Sequence, residues 1–162
     1  MLTQEVLKTL LSYDPETGSF KWLSGGRRRV LGAEAGYLRK DGYVHIGVAG
    51  SLYLAHRLAW LYMTGSFPIL KIDHKNGICS DTRWSNLRLA TSSQNSCNSR
   101  LAASNTSGVK GICWHNKSHR WIARVGYRGK RYLVGYFDSL PEAQAATIYF
   151  REVMHGKFAN NG

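Results

Sequence analysis

A run of small and polar residues at positions 99–108, Ser-Arg-Leu-Ala-Ala-Ser-Asn-Thr-Ser-Gly, interrupts the apolar patterning of this chain. Such a run buries little and favours turns, so the apolar residues on either side must build separate cores. The chain therefore reads as two modules, residues 1–99 and 108–162, with a linker over residues 100–107. Its 162 residues leave room for one average domain or two small ones. Hydrophobic residues at 43% and aromatics at 12% suffice for packed cores and exclude a disordered tail.

The first module alternates helical and strand signals. Val6, Leu7, Leu10 and Leu11 recur at helical spacing behind Thr3, a suitable N-cap, so residues 3–13 are expected to be a helix. Asp14-Pro15-Glu16-Thr17-Gly18 is turn chemistry, and residues 20–23 follow as a short strand. Arg27-Arg28-Arg29 beside Gly25-Gly26 reads as a loop, either a solvated charge cluster or a phosphate contact. Residues 36–39 and 43–48 flank Lys40-Asp41-Gly42 as a hairpin. Residues 52–64 are apolar on nearly every face, which predicts a buried helix ended by Gly65. Residues 70–73 and 84–90 are expected strands, and Thr91 caps a polar helix running to Asn98.

In the second module, residues 111–114, 120–127 and 130–137 read as three strands, and Pro141 opens a helix that Gly156 closes. The fold class is α+β, with a three-stranded antiparallel sheet packed on one helix at the C-terminal end.

Charge points to the partner. Lys and Arg number 22 against 10 Asp and Glu, a net charge of +12. No acidic residue lies between Asp81 and Asp138, while ten Lys and Arg fall in that window together with Trp114, Trp121, Tyr127 and Tyr132. A basic, aromatic, acid-free stretch suits a polyanion, nucleic acid above all. The longest plain apolar run, residues 58–63, is far short of the ~20 that cross a bilayer, and the N-terminus lacks a signal-peptide pattern. Cys79, Cys97 and Cys113 form no Cys-x-x-Cys pair, so neither a disulfide framework nor a cysteine-rich zinc site is expected. Together these features place the protein in the cytoplasm with reduced thiols.

The chemistry-bearing residues are Asp73, His74, Asn86 and Asn95. Asp73 and His74 end one strand, Asn86 lies at the next and Asn95 sits on the following helix. A strand–loop–strand–helix unit would bring the four to one side. A carboxylate and an amide oxygen are hard ligands for a divalent ion such as Mg²⁺, and a neutral imidazole takes a proton from water near pH 7. The ion would polarise a phosphate and stabilise a departing 3′ oxygen. On spacing alone, the same residues also read as an Asn-Gly turn with a satisfied histidine.

Asp73-His74, Asn86 twelve positions after the histidine and Asn95 nine further on resemble the HNH (ββα-metal) nuclease motif, in the asparagine-ended variant of phage homing endonucleases. His56-Arg57 and the segment from Leu11-Ser12-Tyr13-Asp14 to Trp22 are also similar to that group, so the resemblance covers roughly residues 1–100. It implies that His74 is the general base, that Asp73 and Asn95 hold one divalent ion (Mg²⁺ or Mn²⁺), and that Asn86 orients the base or ties the hairpin. The last position is Asn95 instead of histidine, which weakens the expected metal affinity. His56 is open between a buried, hydrogen-bonded histidine and a phosphate contact. His45, His115, His119 and His155 have no partner spacing.

Residues 104–160 resemble an Apetala-type (ethylene-response-factor) DNA-binding domain through residues 107–112, Trp114, residues 121–125, residues 135–137, residues 142–146 and Gly156. The resemblance implies a sheet laid in the major groove of double-stranded DNA. Alternation independently puts Arg120, Ile122 and Arg124 on one face and Trp121, Ala123 and Val125 on the other. The expected DNA contacts are Lys110, Trp114, Arg120, Arg124, Arg128, Lys130 and Arg131, with Trp114 open between groove and core. The combined expectation is a monomeric, metal-dependent DNA endonuclease of homing type. It would nick one strand to leave a 5′-phosphate and a 3′-hydroxyl. The alternative is an inactive DNA-binding regulator on the same fold.

Overall fold

The computed structural model describes residues 2–26, 29–99 and 101–161. Arg27 and Arg28 of the triple-arginine loop therefore lie outside the described residues. The chain divides into two compact units, Met1–Ala90 and Thr91–Gly162.

In the first unit, Thr3 caps α1 (Gln4–Leu10), its Oγ1 accepting from the Val6 N–H at 3.3 Å. The helix stops short of the expected residue 13. Leu11 is extended (φ −136°) and starts β1 (Leu11–Tyr13), which pairs antiparallel with β2 (Phe20–Trp22), Leu11 facing Trp22. Burial along β1 alternates, with Leu11 and Tyr13 inside, as a strand requires. Next come β3 (Tyr37–Leu38), β4 (Val44–Val48) and β5 (Ser51–Leu54), an antiparallel meander with β4 in the centre. Residues 52–54, expected at the start of a helix, instead complete this sheet because Ala49 and Gly50 turn the chain back with positive φ. α2 (Ala55–Thr64) follows and ends at Gly65 in the left-handed region (φ 84°). Leu58, Ala59 and Leu61 of α2 meet Leu7, Leu11, Ile46 and Val48 in the core. Each buried Leu or Ile contributes about 1.5–3 kcal/mol.

Packed on that core, β6 (Lys71–His74) and β7 (Leu87–Ala90) pair antiparallel, with Asp73 opposite Arg88 and His74 opposite Leu87. Residues 84–86, expected as strand, form one 3-10 turn leading into β7. The N-terminal hairpin pins the loop between β6 and β7. Tyr13 Oη donates to Thr82 O at 2.7 Å, Thr82 Oγ1 to Gly18 O at 2.6 Å, and Trp84 N to Pro15 O at 2.9 Å. Gly18 (φ +77°) permits this approach, since a Cβ there would lie 2.5 Å from Arg83 N.

The second unit opens with α3 (Ser92–Cys97), whose Thr91 and Gln94 form a reciprocal capping box. β8 (Ile112–His115), β9 (Arg120–Tyr127) and β10 (Lys130–Phe137) form an antiparallel sheet in the order β10-β9-β8. α4 (Leu140–His155) packs on it, burying Ala143 against Ile112, Ala123, Trp121 and Phe137. Small alanines let helix and sheet approach closely. One detail departs from simple alternation. Ile122 shares the arginine face of β9 yet is 1% exposed, flanked in register by Cys113 and Tyr136. No helix among the described residues is long and apolar enough to cross a membrane.

Candidate functional site

Asp73 and His74 are consecutive residues at the end of β6, and both are buried, at 4% and 5% exposure. Asp73 Oδ2 accepts from Arg88 Nε at 2.7 Å, across the β6–β7 pair. Burial pushes the His74 imidazole below the ordinary histidine range, while Asp73 and Asp81 pull weakly the other way. The ring is therefore neutral at pH 7, the form that accepts a proton.

Asn86 closes the loop that follows His74. Its Oδ1 accepts from Asn76 N at 3.1 Å, its Nδ2 donates to Asp81 O at 2.9 Å, and its own carbonyl accepts from Lys75 N at 2.9 Å. One buried amide thus ties both ends of residues 75–86 together. Asp81 anchors the middle, accepting from Asn76 Nδ2 and from the Arg83 guanidinium. The Arg83 hydrogen bonds hold the Asp81 carboxyl down at about 2.

Behind His74 stand two rings. His56, on the first turn of α2, meets the His74 ring edge-on with centroids 4.9 Å apart. Tyr43, on the chain entering β4, lies 5.4 Å from His56 and 5.9 Å from His74. His56 is 6% exposed, and burial, reinforced by His74, Arg57 and His45, pushes its pKa down to about 3. His56 is thus a buried, neutral packing partner of His74, not a phosphate contact. Tyr43 is pushed up to about 12, chiefly by its hydrogen bond with Cys79 and by burial.

Asn95 lies on α3 in the second unit and is half-buried, while Asp73, His74 and Asn86 all belong to the first. Among the described residues no three His, Cys, Asp or Glu cluster as a metal site. A carboxylate and an amide oxygen are donor types that suit a hard divalent ion that keeps several waters.

The basic residues of the second unit divide into distinct settings. Arg124 and Arg131 are exposed on one sheet face, Arg131 opposite Gly126 and Arg124 opposite Leu133. Arg128 and Lys130 stand exposed at the β9–β10 turn, with Arg128 at positive φ and 5.2 Å over the Tyr127 ring. Arg120 is exposed but bonded to Asp138, Nε to Oδ1 at 2.8 Å. Trp114 is 44% exposed and packs its edge on Trp121, 5.2 Å between centroids. Lys110 departs from the expectation of a DNA contact. It is half-buried, and its Nζ donates to the carbonyls of Cys97 (3.1 Å), Asn160 (3.3 Å) and Ser99. An ammonium has three donors, and all three are spent.

Two residues at the site were not singled out from sequence, Arg88 and Tyr43. Arg88 sits opposite Asp73 only through the strand register, and Tyr43 reaches His74 only through the packing of β4 on α2. Neither carries a local motif.

A family model for the HNH endonuclease matches residues 53–97. The chain is 35% identical over 105 residues to Protein 3.8 of Escherichia phage T7, spanning 64% of this chain and 86% of that relative. It is 32% identical over 146 residues to an uncharacterized HNH endonuclease, L560, of Acanthamoeba polyphaga mimivirus, spanning 88% of this chain and 74% of the relative. Among solved structures, the HNH homing endonuclease I-HmuI, described for DNA binding and cleavage, aligns with a TM-score of 0.40 and 26% identity. That alignment covers 51% of this chain and 47% of the other, so the chain spans about half the length of the solved relative.

Proposed function

The chain belongs to the HNH endonuclease family, and from that premise we propose that it is a metal-dependent DNA endonuclease of homing type that nicks duplex DNA as a monomer. The observation that carries the reading is the buried, neutral His74 beside the buried Asp73, with the following loop tied by Asn86. His74 accepts the proton of the attacking water. Asp73 and Asn95 are the oxygen donors for one divalent ion, Mg²⁺ or Mn²⁺. That ion, when bound, neutralises the scissile phosphate and the departing 3′ oxygen. Asn86 keeps the His74 loop closed so that the imidazole and the carboxylate keep one mutual orientation. Products are a 5′-phosphate and a 3′-hydroxyl.

The second unit supplies affinity and site choice in the manner of an Apetala-type domain, with a sheet face that enters the major groove. Arg124 and Arg131 suit guanine edges, and Arg128 and Lys130 suit phosphates. Arg120 shares that face, while Trp114, paired with Trp121, stands on the opposite one. In a phage-infected cell such an enzyme acts in the host cytoplasm.

A supercoiled-plasmid assay with Mg²⁺, Mn²⁺ or EDTA, run beside a phage-genome digest, tests the reading. Metal-dependent open circles, lost by a factor of about 10² to 10⁴ in His74→Ala, are expected of a general base. Linear product would mean a two-strand cutter. No cleavage of either substrate, with salt-sensitive DNA binding kept, would leave a DNA-binding regulator.

A further inference from the structure

A helix as short as α3, six residues, does not hold itself in water. Its N-terminal end is built into the chain by the Thr91–Gln94 capping box. Its C-terminal end leaves carbonyls that need donors, and these come from far along the chain. Lys110 Nζ donates to Cys97 O, the last residue of α3, and to Ser99 O just beyond. Asn160 Nδ2 donates to the Asn98 carbonyl at 3.0 Å and to Asn98 Oδ1 at 3.2 Å, while the Asn160 carbonyl accepts from Lys110. A cation at a helix C-terminus also opposes the negative end of the helix dipole.

The grip is itself anchored. The Lys110 carbonyl accepts from Arg151 Nη2, and Arg151 is 2% exposed on α4 with its Nη1 donating to Asn161 Oδ1 at 3.4 Å. The next residue, Gly111 (φ +76°), presses onto β9, where a Cβ would lie 2.4 Å from Arg124 O, and Arg124 N donates to Gly111 O at 2.8 Å. So the backbone that presents Lys110 is fixed to both sheet and helix. Burial and the neighbouring Arg151 bring the Lys110 pKa down to about 8, as expected for an ammonium turned inward.

We propose that Lys110 is a positioning residue for Asn95: by holding the C-terminal end of α3 it fixes the helix that carries the metal-binding amide. The inference rests on the reading of Asn95 as a ligand.

The test uses the full chain carrying Lys110→Met, which keeps the stem and removes the donors, and Asn160→Ala as a milder second variant should the first not fold. In EDTA, amide hydrogen exchange over residues 94–98 is expected to speed up at least about tenfold, with residues 71–74 and 120–127 unchanged. Mn²⁺ affinity, followed by electron paramagnetic resonance, is expected to fall about tenfold, the lower end for loss of a supporting partner. Duplex affinity in EDTA and its salt dependence are expected to stay as in wild type. The opposite pattern would overturn the proposal: exchange and Mn²⁺ affinity as in wild type, with a salt slope shallower by about one, the mark of a phosphate contact. Asn95→Ala separates the two levels. If it binds Mn²⁺ as wild type does, the ligand reading fails and the positioning role with it, whatever exchange shows for the grip.

Discussion

Asp73 and Arg88 face each other across the β6–β7 pair, and Arg88 Nε donates to Asp73 Oδ2 at 2.7 Å with both side chains largely out of water. Two buried charges in contact gain little net stability over an apolar pair, but removing one strands the other. Arg88→Met is therefore expected to lower unfolding free energy by about 3–5 kcal/mol, measured by urea titration in EDTA. Arg88→Lys should fall between, because an ammonium lacks the planar fork. A Met variant within about 0.5 kcal/mol of wild type would show that Asp73 finds equal support elsewhere.

How far this site could be read in advance follows from the range of the interactions. Thr3, Thr91, Gly65 and the Asp-Gly turn act on their own neighbours, and the elements they start or stop stand where local chemistry put them. The adjacency of Asp73 and His74 at a strand end was legible for the same reason. Leu11 was not, because the helical spacing of its apolar neighbours says nothing of Trp22, the partner that draws it into a strand. Residues 52–54 were lost likewise to a pairing with β4. Lys110 is the sharpest case. Its charge looks like any other in the acid-free stretch, and only the fold turns it toward the carbonyls of α3.

The His56–His74 contact carries a pH signature. Folding holds His56 near a pKa of about 3, against about 6.5 in an unfolded chain. Between those values the unfolded state binds the extra proton, so stability is whole above pH 6.5 and declines as pH falls. The slope approaches about 1.4 kcal/mol per pH unit, and His74, shifted in the same direction, steepens it. From pH 7 to pH 5 the His56 share is about 2 kcal/mol. His56→Phe keeps a ring against His74 without the titrating group, so its loss over that interval should be smaller by about this amount in urea midpoints. An unchanged loss would mean that His56 titrates normally.

The basic residues of the second unit should separate into two kinds by how binding responds to salt and to sequence. Arg124 is exposed on the sheet in register with Leu133, and on the proposed reading its guanidinium meets base edges. Arg128 and Lys130 stand exposed at the β9–β10 turn, and on the proposed reading they meet phosphates. On a library of duplexes read by fluorescence anisotropy, Arg124→Ala is expected to cost about 1–3 kcal/mol and to erase preference at one base pair. Lys130→Ala should weaken every duplex alike and flatten the dependence of log affinity on log salt by about one. A uniform loss for Arg124→Ala would move it among the phosphate contacts and leave base reading to other side chains of that face, with Arg131 the nearest cation in register to take it up.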